Sequence, residues 1–235
     1  MVGGLLGAMA LAGCRQREPR ATPAHVDPRA YDALFLWAGV RAPEWLDQAR
    51  TVYMLAGEVR HGDPVRYVSL RAIPRVQGPE IWLTVRVERL DWSEGVTAAV
   101  LHDLSRWKAA GNRVAGLQID FDAATRGLES YAAFLAALRR RLPGEYALSI
   151  TGLLDWSAGR DPVALAALAG VVDEVVIQTY QGRRTIPGYA AYLRQLRTLP
   201  LPFRLALVEG GDWKAPPGLA GEPNFRGYVV FLLTD

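Results

Sequence analysis

Apolar and polar positions along this chain follow two alternating rhythms. From residue 31 onward, short apolar runs with period-two or continuous burial patterns are separated by stretches whose apolar residues return every three to four positions. That order predicts βαβα units, hence a parallel sheet covered by helices. The expected strands are Leu34–Val40, Thr51–Glu58, Ile81–Glu88, Val114–Asp122, Ala147–Leu154, Glu174–Tyr180, Phe203–Glu209 and Arg226–Leu233. Eight such strands predict a closed (β/α)8 barrel of TIM type, and an open doubly wound parallel sheet is the alternative.

The helical rhythm is strongest over Ser93–Ala110 and Gly127–Leu142. In the second, Leu128, Tyr131, Phe134, Leu135 and Leu138 recur at helical spacing, and Arg139, Arg140 and Arg141 gather where the macrodipole favours cations. Shorter helices are expected over Pro43–Arg50, Pro162–Leu168 and Tyr189–Leu199. Two connections break the pattern. Residues 61–79 hold a strand-like Arg66–Ile73 among prolines, and residues 213–224 carry three prolines. Neither suits a covering helix, so the barrel is expected to be irregular, with some helices missing.

The N-terminus reads differently. Residues 1–14, MVGGLLGAMALAGC, form an apolar run too short to span a bilayer but of the length of an export signal. Its end, Leu11-Ala12-Gly13-Cys14, resembles the bacterial lipobox, which implies acylation of Cys14 and a membrane anchor. No Lys or Arg precedes the run. Arg15 rather than Asp follows Cys14, which by the same resemblance implies the outer membrane of a bacterial envelope. Residues 15–30, rich in Arg, Pro and Ala, read as a flexible tether, and residues 31–235 as a single barrel domain.

Composition narrows the chemistry. Half of the 235 residues are hydrophobic, enough for one sizeable core, and the formal charge of +3 comes from dispersed arginines without a basic block. Nucleic acid is therefore not an expected partner. Cys14 is the only cysteine, which excludes an intramolecular disulfide and a cysteine-rich metal site. The three histidines, His25, His61 and His102, fall in the leader, a loop and a helix, which suggests neither a Ser/His/Asp triad nor a histidine metal site. No glycine-rich nucleotide or nicotinamide motif occurs, so no cofactor is expected.

In a parallel barrel the active site lies at the C-terminal strand ends. The polar residues expected there are Glu58, Glu88, Asp155, Gln178, Tyr180, Glu209 and those of Gly116-Leu117-Gln118-Ile119-Asp120-Phe121-Asp122. Alternation puts Gln118, Asp120 and Asp122 on one face, directed into the barrel. Carboxylates two apart on a strand lie roughly 6–7 Å apart, near enough for one to raise the other's pKa and make it a proton donor. Asp122 also suits the cap of the following helix. Trp37, Trp92, Trp156 and Trp213 fall at strand ends, where flat apolar faces could stack on sugar rings.

The stretch Gly116–Asp122, the helix with Tyr131 and Phe134-Leu135, Leu148-Ser149-Ile150-Thr151-Gly152-Leu153 with Trp156, Val172-Asp173-Glu174 with Gln178, and Pro202-Phe203 with Ala206-Leu207 resemble the bacterial domain-of-unknown-function family 3142. That family implies no reaction. More distantly, the acidic strand resembles the Asp-x-x-Asp-x-Asp-x-Glu strand of chitinase-like family 18 glycosidases, with Asp122 at the proton-donor position. Gln118 then stands for the second Asp and Asp120 for the third, while Ala115 has no acidic counterpart. Tyr180 resembles the tyrosine of the Met-x-Tyr strand that steadies a substrate acetamido group in those enzymes.

The expectation is thus a glycosidase-like lipoprotein acting on a polysaccharide. Asp122 is the general acid, Asp120 its tuning neighbour, and Glu209 or Asp155 the second carboxylate. Gln118, Trp156, Gln178, Tyr180, Trp37 and Glu58 complete the substrate site. The departures at Gln118 and Asp122 support the alternative, a glycan-binding barrel without catalysis. A hard cation held by Asp120, Asp122 and Glu209 is a further alternative.

Overall fold

The computed structural model describes residues 25–62, 64–121, 127–154, 162–194 and 199–234. Its strands are β1 (Ala33–Leu36), β2 (Thr51–Val59), β3 (Tyr67–Ser69), β4 (Glu80–Val87), β5 (Arg113–Asp120), β6 (Ala147–Leu153), β7 (Glu174–Gln178), β8 (Tyr180–Gln181), β9 (Arg184–Thr185), β10 (Phe203–Val208) and β11 (Phe225–Phe231). Helices are α1 (Glu94–Ala109), α2 (Leu128–Arg139), α3 (Pro162–Ala169) and α4 (Tyr189–Leu193).

Eight parallel strands bond in the order β1-β11-β10-β7-β6-β5-β4-β2, and β2 pairs with β1 in turn. The ring closes, giving an irregular TIM-like barrel and ruling out the open sheet. β2 is long enough to serve two neighbours along one edge: Thr51–Met54 pair with β1, and Gly57–Val59 pair antiparallel with β3. The strand-like segment in 61–79 therefore extends the wall beyond the end of β1.

Alternation divides the apolar residues into two layers. Leu34, Val52, Leu83, Leu117, Ile119, Leu148, Ile150, Ile177 and Leu207 point outward, in one core with Val100, Leu104 and Trp107 of α1 and Tyr131, Leu135 and Leu138 of α2. Ala33, Phe35, Tyr53, Trp82, Val176, Ala206 and Val229 point inward and form a separate cluster inside the ring.

Two expectations change. The helix over Pro43–Arg50 is one 3-10 turn, Leu46–Gln48, because the N–H groups of Arg50 and Thr51 both bond Asp32 O and draw the chain into β2. The helix from Tyr189 is described only to Leu193, with residues 195–198 outside the described set. Ahead of β1, Val26 is buried, its N–H bonds Gly211 O at 2.9 Å, and its own carbonyl accepts Gly210 N–H. Cys14 and the leader lie outside the described residues.

Candidate functional site

The interior of the ring is apolar on one side and polar on the other, because of which residues share a register row. Phe35, Tyr53 and Trp82 are in register on β1, β2 and β4, and their rings stack in sequence at 5.9 and 5.7 Å. Gly116 follows in the same row on β5. A Cβ there would collide with Ala147 O and the Trp82 ring, so the glycine makes room for the indole.

Across β4 to β7 runs a polar row. Thr84 Oγ1 donates to Gln118 Oε1 and Gln118 Nε2 donates to Ser149 Oγ, each at 3.1 Å. Ser149 Oγ donates to Glu174 Oε1 at 3.2 Å. Tyr53 Oη also donates to that oxygen, and Arg204 Nε holds Glu174 Oε2 at 3.0 Å. This buried network forms the barrel floor. Burial, and next the negative Glu174, push the Tyr53 phenol well above its ordinary value. Burial pulls the Arg204 guanidinium down, but Tyr53 and Glu174 outweigh it and the net direction is up.

Above the floor, at the C-terminal strand ends, lies a cavity of about 200 Å³. Trp37, Tyr180 and Phe231 form its aromatic wall, with Phe231 5.6 Å from Trp37 and 5.4 Å from Tyr180. Asp120, Thr151, Gln178 and Arg86 supply the polar lining. Thr151 Oγ1 donates to Asp120 Oδ1 at 2.8 Å, Gln178 Nε2 donates to Tyr180 O at 2.8 Å, and the Arg86 guanidinium lies 5.4 Å from the centre of the Trp37 ring. On one flank, Arg86 and Asp120 also border a space of about 300 Å³ with His61, Glu88 and Phe121. On the other, Gln178 and Tyr180 border one of about 490 Å³ with Leu153, Ile186 and Tyr192. Each flanking space shares lining residues with the central cavity, so the three lie side by side as a groove across the mouth.

Of the expected site residues, Asp120, Gln178, Tyr180 and Trp37 meet at this cavity. Gln118 faces inward too but is fully buried below it, bonded on both sides. Glu58 is buried against Arg60, whose Nε lies 2.7 Å away. Glu209 receives Leu233 N–H at 2.8 Å and so caps the end of β11. Neither carboxylate is among the described residues lining the central cavity. Asp122, Asp155 and Trp156 lie outside the described residues. Among the described residues no group of three His, Cys, Asp or Glu side chains could hold a cation.

Arg86, Thr151, Phe35 and Phe231 were not singled out from the sequence. The available signal for Arg86 is the alternation Trp82-Thr84-Arg86, which puts it on the inward face two residues above a buried threonine.

Residues 78–182 match the model of DUF3142, a domain of unknown function. The DUF3142 match runs from β4 to β8 and contains Arg86, Asp120, Thr151, Gln178 and Tyr180, while Trp37 and Phe231 come from strands outside it. Solved structures give the wider likeness. The spore cortex-lytic enzyme SleL of Bacillus cereus matches at 18% identity over 76% of this chain and 50% of its own, with a TM-score of 0.52. The chain thus spans half the length of SleL. The chitinase domain of the spore coat protein CotE from Clostridium difficile matches at 14% over 86% and 68%, TM-score 0.50. The xylanase and alpha-amylase inhibitor protein XAIP-II of Scadoxus multiflorus matches at 13% over 84% and 92%, TM-score 0.55. At these identities the likeness is one of fold. No curated protein matches the sequence.

Proposed function

We propose that the groove across the barrel mouth binds a polysaccharide. The observation that carries this reading is the pairing of an aromatic wall, Trp37, Tyr180 and Phe231, with hydrogen-bonding groups on Asp120, Thr151 and Gln178 across one cavity. A sugar ring has the same two-sided character, an apolar C–H face and a rim of hydroxyls. The cavity holds one ring and its flanking spaces give neighbouring rings room. The same barrel carries a cortex-lytic enzyme, a chitinase domain and an inhibitor of xylanase and alpha-amylase, so the fold leaves hydrolysis and plain recognition both open.

Hydrolysis is the second reading, and one observation favours it. β5 ends by delivering Asp120 to the mouth, bonded by Thr151, two residues before Asp122. In this reading Asp122 protonates the glycosidic oxygen and Asp120 tunes it. A second carboxylate would then stand about 5–5.5 Å from the acid for retention or about 6.5–9.5 Å for inversion.

One assay decides between them: binding and product release on a panel of envelope and exopolysaccharide glycans, with the protein and its Asp122→Asn and Trp37→Ala variants. Loss of the indole is expected to weaken binding about tenfold, roughly 1.4 kcal/mol. Release that Asp122→Asn abolishes while binding persists supports hydrolysis. Binding without release by either protein leaves a glycan-binding barrel, and no binding to any glycan overturns both.

The lipobox resemblance adds a location, an outer-membrane anchor through acylated Cys14. No helix among the described residues is long and apolar enough to cross a membrane. Expression in a bacterial host with labelled palmitate tests the anchor: label should enter the protein, and Cys14→Ser should abolish it and release the chain from the membrane fraction.

A further inference from the structure

Resting on the glycan reading, we propose that the mouth selects an acidic sugar, a uronate, through Arg86. Among the described residues lining the central cavity, Arg86 is the one cation. It is exposed, yet it sits on the inward face of β4 in register with Asp120 on β5. Oppositely charged neighbours at such positions ordinarily pair. Here they do not: Asp120 takes a hydrogen bond from Thr151, while the Arg86 guanidinium rests over Trp37.

Several of the described arginines near this end of the barrel are engaged. Arg60 pairs with Glu58, Arg89 forks onto Asp91, and Arg71 donates to Trp37 O. Arg86 makes neither a hydrogen bond nor an ion pair with any described residue; its contact is the ring. Stacking on an aromatic face steadies a guanidinium and leaves its in-plane donors available, the arrangement that suits bidentate capture of a carboxylate.

Neighbouring strands lie about 4.8 Å apart, close to the width of a pyranose ring. A uronate whose carboxylate faces Arg86 can therefore present adjacent hydroxyls to Asp120, Thr151 and Gln178 and lay its C–H face toward Trp37 or Phe231. A neutral sugar uses the same wall and leaves the Arg86 donors to water. Arg86 also borders the flanking space, which His61, Glu88 and Asp120 line with it, so its guanidinium faces the place of a neighbouring ring as well.

The test compares oligogalacturonate, oligomannuronate and hyaluronan fragments with their methyl-esterified forms, titrated calorimetrically against the protein, Arg86→Gln and Arg86→Lys. The free acids should bind at least tenfold more tightly than the esters, with that preference falling as salt rises. Arg86→Gln should bring the affinities for acid and ester together, and Arg86→Lys should keep part of the preference. Equal binding of acid and ester by the unmodified protein overturns the assignment, as does a preference that survives Arg86→Gln. Binding of neutral chitooligosaccharides with no acidic glycan bound overturns the acidic class and leaves the glycan reading standing. Failure to bind any of these glycans removes both.

Discussion

Glu174 is buried at the barrel floor and holds three donors, from Tyr53, Ser149 and Arg204. Removing the acid strands a guanidinium whose carboxylate partner is gone, so Glu174→Ala should cost about 3 kcal/mol in urea unfolding, the scale for breaking a buried pair. A shape-matched double replacement of Glu174 and Arg204 by apolar residues should cost less than either single change. The same residues show what alternation along a strand can and cannot reveal. It gave the facing of Gln118 and Asp120, but a step of two residues is roughly 6.6 Å along the barrel axis direction of the strand. That step separates a floor residue bonded on both sides from a mouth residue, and only the stagger of the strands sets which is which. Glu58 and Glu209 were legible as strand-end carboxylates, whereas their service to Arg60 and to the Leu233 amide depends on neighbours distant in sequence. Arg86 was passed over because a charge in an apolar strand reads as a solvent position until the ring around it is known.

The elements were legible where burial imposes a period. All eight ring strands lie within a few residues of the apolar runs, and α1 and α2 follow their helical spacing. Connections were harder, since their shape depends on what they dock against. Asn112 is an example: its side chain accepts Val76 N–H and donates to Pro74 O and Trp107 O, tying the proline-broken loop to the end of α1. At this scale the register row Phe35-Tyr53-Trp82-Gly116 makes a sharp prediction. Gly116→Ala forces its methyl onto Ala147 O and the Trp82 ring and should lower stability by about 1–3 kcal/mol, the cost of overpacking a filled core. Denaturant titration checks this, with Gly144→Ala, which has open space, as the control expected to be near neutral.

The molecule as a whole should be sensitive to alkali. Burial foremost raises the phenols of Tyr53, Tyr67 and Tyr131, helped by Glu174 in the first case, Asp103 in the second and Asp120 in the third. Burial, Tyr228 and Asp27 bring Tyr31 from 10.0 to about 12. These groups stay neutral in the fold but ionise in the unfolded chain near pH 10, so above that pH the unfolded state binds fewer protons and stability falls. Stability should therefore be unaffected by them below about pH 10 and decline steadily above it. Phenolate absorbance should rise in two stages, the second coinciding with loss of far-ultraviolet circular dichroism. A single early rise, with the circular dichroism intact, would contradict the burial of these rings.

Closure of the ring has a consequence in time. β1 takes one neighbour from β2, close by in sequence, but its other edge must wait for β11, some two hundred residues later. Until that strand arrives, β1 and β10 each present a bare row of amides and carbonyls, a template for other chains. The step that seals the barrel is thus also the one that withdraws its stickiest surfaces, and slowing it should show first as aggregation during synthesis rather than as a weaker finished protein.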